Sequence, residues 1–172
     1  MNFIKTFLIT FLTYLVLNLV FVLIAVFTIP GFPMNDILYI ITLIFAPIFV
    51  FPSEAWAGGL ATLIITTEIA TDLLTFFAAI IPPLVAVILA ARLGEERDTG
   101  FNAWFITSLI FCVVYAILFG VGQLSSANLA LEWFGYTAIY GELGTVLAMF
   151  LAGIINGFFY GGIDLVIARK FL

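Results

Sequence analysis

Two carboxylates in this chain stand where a charge is hardest to place. Glu68 and Asp72 lie four residues apart in ITTEIATDLLT (65–75), inside a run that is otherwise apolar and has no basic residue nearby. Four residues is one helical turn, so both side chains fall on one face. Two acids at that spacing disfavour each other's ionisation. A proton, water in a cavity, a bound cation or a donor-rich ligand would relieve them. An ionisable group at membrane depth marks a functional site by default. Thr66, Thr67, Thr71 and Thr75 surround the pair with hydroxyls, although threonine in such helices also bonds its own backbone. The plainer alternative puts Asp72 in an outer loop, simply solvated. Asn18 and Asn156 are two further polar groups inside apolar runs. Either bonds across helices or lines a site. Glu68, Asp72, Asn18 and Asn156 are therefore the candidate ligand-binding residues, and the sequence leaves open whether a metal is involved.

Little else in the chain can do chemistry. There is no histidine, which removes imidazole bases, proton relays and histidine metal sites. The single cysteine, Cys112, lies in an apolar run and reads as packing. Ser125 and Ser126 have no histidine or lysine partner, and no glycine-rich phosphate loop is present. The segment GGID (161–164) departs from the G-x-G-D motif of intramembrane aspartyl proteases, because Ile163 stands where the second glycine belongs. Asp164 reads instead as a local ion-pair partner of Arg169 and Lys170. No catalysis and no cofactor are expected. A net charge of −5 with no basic tail argues against nucleic acid as a partner.

The elements that position these residues follow from composition. Hydrophobic residues make up 65% of the chain and charged residues 9%, against roughly a quarter charged in soluble domains. The solvent for this surface is a lipid bilayer. Long apolar runs without strict alternation predict an all-α, polytopic transmembrane helix bundle rather than a β-barrel. One integral membrane domain fills residues 1–172. The run from Phe7 to Ile29 exceeds a signal-peptide core and reads as a retained first span.

Basic residues set the topology. Lys5, the pair Arg92 and Arg97, and the pair Arg169 and Lys170 are the only ones, and the positive-inside rule puts all three groups on the cytoplasmic side. The first span then ends outside at TIPGFP, and the chain returns inside before Arg92. The 55 residues from 37 to 91 allow three tight crossings or one crossing plus a re-entrant hairpin. The expectation is six spans, with four spans plus a re-entrant hairpin at 52–80 as the alternative. The fourth helix starts near Leu74 and is kinked at Pro82-Pro83. The fifth and sixth cover about 101–122 and 141–168. A short cytoplasmic loop covers 94–100, and an outer interfacial loop covers 123–140, with Trp133 as an anchor. Trp56 and Trp104 fall near the cytoplasmic interface. Both termini are cytoplasmic, in a cell membrane. On this topology the inner side balances five bases against Glu54, Glu95, Glu96, Asp98 and Asp164. Asp36, Glu68, Asp72, Glu132 and Glu142 leave the whole charge of −5 outside, a field that draws cations. Gly153, Gly157 and Gly161, with Gly144, Ala148 and Ala152, form two rows for close helix packing.

The run IPGFPMNDILYIITLIFAPIFVFPSEAWAGGLATLIITTEIATDLL (29–74) resembles the substrate-binding S components of energy-coupling factor transporters. The likeness lies in a short second helix, a small-residue entry to the third and a carboxylate near its outer end. The chain's size and its six tightly connected helices add to it. In place of the family's small-residue docking surface, the first helix has Ala25 as its only alanine. The resemblance implies high-affinity capture of a vitamin or metal ion from outside, with a membrane coupling protein and ATPases as partners. The resulting expectation is a multi-pass solute-binding or transport protein, with an acidic outward-facing site for a cationic or donor-rich small ligand. The alternative is a non-catalytic structural subunit of a larger membrane complex.

Overall fold

A computed structural model describes residues 2–65 and 69–168. Every element among them is helical. Helix α1 is Phe3–Thr28, α2 is Ile37–Phe45, α3 is Gly59–Ile65, α4 is Ile69–Leu93, α5 is Arg97–Gly122 and α6 is Ala127–Ala168. A 3₁₀ turn, Ala46–Phe49, extends α2, and a π turn, Glu54–Gly58, leads into α3. Four helices (α1, α4, α5 and α6) are long and apolar enough to cross a membrane, or up to five spans result if the bent pair 37–49 and 54–61 counts as one. The expected helical bundle is present, and six full spans are not found among the described residues.

Helix α1 shows why lipid is the solvent. Its buried residues are Thr6, Thr10, Tyr14, Asn18 and Val22, a row spaced by four. Leu12, Val16, Val20, Leu23 and Phe27 are exposed. The polar stripe faces protein and the apolar face turns outward, the inverse of a soluble helix. Thr6 and Thr10 satisfy their hydroxyls on the carbonyls of Asn2 (3.2 Å) and Thr6 (2.8 Å).

The long helices alternate in direction. The end of α1 (Ile24, Thr28) meets the start of α4 (Thr71, Leu74). Helices α5 and α6 run antiparallel along the glycine row. A side chain at Gly153 would strike Cys112, one at Gly157 would strike Phe105 and Ser108, and one at Gly161 would strike Phe101. The Ser108 hydroxyl donates to the Gly153 carbonyl across that seam (3.2 Å). The row is therefore internal packing. Helix α4 runs on through Pro82 and Pro83 and begins at Ile69, earlier than Leu74.

Between α1 and α4 the chain bends sharply inside the bundle. Segments 37–49 and 54–61 meet at 102°. Asn156, on α6, holds the turn from below: its side-chain amide donates to the carbonyls of Ile48 (2.9 Å) and Val50 (3.1 Å). The Trp104 indole donates to the Asn156 backbone carbonyl (3.1 Å). Trp104 is fully buried between Tyr14 and Tyr160, packed against protein on all sides. Its ring fills the centre of the bundle, and its N–H finds a partner there. Trp133 also turns inward, edge-on to Phe119.

The connections are shorter than expected. Residues 97–100 are the first turn of α5, which leaves 94–96 as the link. Residues 127–140 are helical rather than a loop. They join 142–168 through Gly141, whose φ of +70° breaks the helical path at a residue without a side chain.

Candidate functional site

The loop after α1 is tied to the turn between α5 and α6. Asp36 caps α2 by accepting from the Tyr39 N–H (3.0 Å). Its other oxygen accepts from the Ser126 hydroxyl (2.5 Å) and the Asn128 side-chain amide (2.8 Å). The Ser126 and Asn128 side chains, with the Tyr39 N–H, hold the Asp36 carboxyl below the usual carboxylate range. The Ser126 oxygen also accepts from the Leu129 N–H (3.1 Å), which caps the start of α6. One turn further along α2, the Tyr39 hydroxyl donates to Glu132 (2.9 Å). Sequence reading missed this clasp, because its members are about 90 residues apart. The only local signal was Asp36 three residues ahead of Tyr39.

Beneath the clasp lies a chamber of about 340 Å³ between α1, the α2 hairpin and α4. It extends from Ile29 and Phe32 down to Asn18, eleven residues along α1 or about 16 Å. Phe21, Ala25, Leu43 and Leu74 make its walls apolar, and Asn18, Tyr39 and Thr75 are its polar side chains. Asn18 is buried, and neither its amide nitrogen nor its oxygen makes a hydrogen bond of good geometry, although the Tyr14 hydroxyl lies close by.

A second cavity, of about 280 Å³, adjoins the first. Val50, Thr75 and Ala79 line both. On its far side stand Glu54 and Asp72, with Gly58, Gly59 and Phe76. The expected topology set Glu54 and Asp72 far apart; here both line one groove, because the stretch after the bend packs beside α4. Neither lining contains a basic residue.

The four candidate residues therefore separate. Asn18 lines the chamber and Asp72 the groove beside it. Asn156 is committed to the hairpin turn and its own helix, donating also to the Ala152 carbonyl (3.0 Å). Glu68 lies outside the described residues, so its pairing with Asp72 rests on sequence alone. Glu54 joins the site in its place. No cluster of three metal-ligating side chains occurs among the described residues.

Asp164 is buried against Gly100 at the start of α5, and neither carboxylate oxygen has a well-formed hydrogen bond. Its expected partners, Arg169 and Lys170, lie outside the described residues.

Comparison with known proteins yields no matching family model, no matching curated protein and no matching solved structure.

Proposed function

We propose that this chain is a membrane-embedded binding protein for a small solute, one component of a transport process, and that it performs no catalysis. The observation that carries the reading is the shared wall of Val50, Thr75 and Ala79. It makes one compound site of an apolar chamber with an amide on its wall and a groove with two carboxylates. Together the two cavities reach the size range of small-molecule sites. The apolar chamber takes the body of the ligand. Asp72 and Glu54 receive a cationic or donor-rich head, because no base competes for them.

The same reading assigns the ends of the bundle. Lys5, Arg92 and Arg97 gather at one end and are placed in the cytoplasm by the positive-inside rule. The clasp end, with Asp36 and Asp72, then faces outside. We propose four spans plus a hairpin that enters and leaves from the outer side, with both termini cytoplasmic in a cell membrane. This is the alternative drawn from sequence, in preference to six spans. Asn156 supports it, because its side-chain amide donates to two backbone carbonyls at the turn. An energising partner of the coupling-protein and ATPase kind, as the S-component resemblance implies, belongs to the proposal. The chain has no nucleotide-binding loop of its own.

The test is binding of cyclohexylmethylammonium to the protein in nanodiscs. Asp72→Asn with Glu54→Gln should weaken it at least about tenfold, the effect of one charge-assisted hydrogen bond. Undiminished binding in the double variant would remove the acids from the site.

A further inference from the structure

Deepening the solute-binding reading, on which it rests, we infer that the solute is a single-chain cationic amphiphile, an alkylammonium that enters from the bilayer through the seam between α1 and α4. The observation is a third cavity. It measures about 280 Å³ and is lined by Ile24, Thr28 and Ile29 at the end of α1 and by Thr71, Leu74 and Phe77 on α4. Ile29 and Leu74 also line the chamber, as Val50, Thr75 and Ala79 join the chamber to the acidic groove. The three spaces therefore follow one another around the first three turns of α4.

Their order fixes the class of ligand. At one end stand Glu54 and Asp72 with no base in the lining, and such a pair favours a cation. In the middle the chamber walls are apolar. The far end is exposed on the outside of the bundle: Ile24 and Phe77 are 40% and 42% exposed. Ile24 also shares the apolar face of α1 with the exposed Val20, Leu23 and Phe27, so what meets this end is lipid. The Thr28 hydroxyl there donates to the Ile24 carbonyl in its own helix (2.7 Å). A solute that is polar throughout gains nothing from a path that runs out into hydrocarbon. An alkyl chain does, because the part beyond the chamber stays among apolar groups. The path curves around α4, so the chain must be flexible. A phospholipid would bring its anionic phosphate beside the two acids, which repel it.

The experiment uses the full chain in nanodiscs with hexylammonium and dodecylammonium. Equilibrium dialysis against empty nanodiscs removes simple partition into lipid from each affinity. On that scale dodecylammonium should bind within about threefold of hexylammonium, whereas a closed chamber would reject the longer chain at least about tenfold by overfilling. Thr28→Trp, at an exposed position outside the chamber lining, fills the seam. It should weaken dodecylammonium at least about tenfold and hexylammonium less than about threefold. Dodecylammonium with a diazirine at its chain end should label the peptides holding Ile24 or Phe77 in the wild-type protein, and excess hexylammonium should prevent the labelling. Exclusion of dodecylammonium from the wild-type protein would overturn the inference. So would losses in Thr28→Trp that do not distinguish the two probes, or labelling that hexylammonium leaves unchanged. In each of those cases, hexylammonium binding that needs Asp72 and Glu54 leaves the solute-binding reading standing. If neither probe binds the wild-type protein, both fail.

Discussion

Replacing Asn156 with leucine should loosen the hairpin, and the size of the effect can be worked from its hydrogen bonds. The side-chain amide donates to the carbonyls of Ile48, Val50 and Ala152. The Ala152 carbonyl keeps its backbone partner within α6, so its loss matters little. Ile48 is buried and Val50 is half-buried on a cavity wall, and both carbonyls lose that donor. An unsatisfied buried group costs about 1–3 kcal/mol. With Val50 open to solvent in the cavity, the variant should lose about 1–3 kcal/mol. Leucine nearly matches asparagine in volume, so no large cavity adds to this. Asn156→Asp keeps the shape but turns an acceptor toward two carbonyls, and should be at least as damaging. The assay is reversible unfolding in mixed micelles, with alkylation of a Ser53→Cys reporter at the turn as a local measure. Both substitutions should lower stability and speed alkylation. A change within about 0.5 kcal/mol, with alkylation unaltered, would refute the idea that Asn156 holds the hairpin.

Three further predictions concern the frame. Gly157→Leu should separate α5 from α6, because even a Cβ there meets Phe105 and Ser108. A loss of about 1–3 kcal/mol should appear in the same unfolding assay, whereas Gly162→Leu, at a glycine with open space, should be nearly silent. The Asp36 clasp should carry a pH signature. Its carboxyl is held below the ordinary value, so its contribution is complete above about pH 4 and is lost as pH falls through the lowered value. A thermal midpoint followed from pH 6 to pH 2 should show that loss, Asp36→Asn should remove it, and an unchanged profile in the variant would contradict the assignment. Cysteines at Met34 and Arg97, in a Cys112→Ala background, should be labelled from opposite sides of sealed vesicles. Labelling from one side would overturn the membrane orientation.

The long helices were legible because lipid leaves only one economical backbone solution, and their apolar runs are unbroken. The hairpin was not. Charge parity between Asp36 and Arg92 permits one or three crossings equally, and Asn156, which holds the turn, acts across more than a hundred residues. The nearness of Glu54 to Asp72 was hidden for the same reason: it depends on which way the chain runs after the bend. The buried face of α1 was partly legible, because Thr6, Thr10, Tyr14 and Asn18 repeat every four residues. Which of them borders a cavity was not: of the four only Asn18 does. Trp104 shows the limit of composition rules. Indole rings favour interfaces on average, yet this one finds its partner in a backbone carbonyl at the centre of the bundle.

The central claim is that the space between α1, the hairpin and α4 holds a solute. It is tested most directly by filling that space. Ala78→Trp places an indole in the chamber without touching Asp72, Glu54 or the Asp36 clasp. Native mass spectrometry of gently extracted wild-type protein, incubated with cyclohexylmethylammonium or with a membrane extract, should show a bound small mass. The Ala78→Trp protein, equally folded by circular dichroism, should show none. Retention of the same mass by the filled variant would place the solute elsewhere and contradict the account.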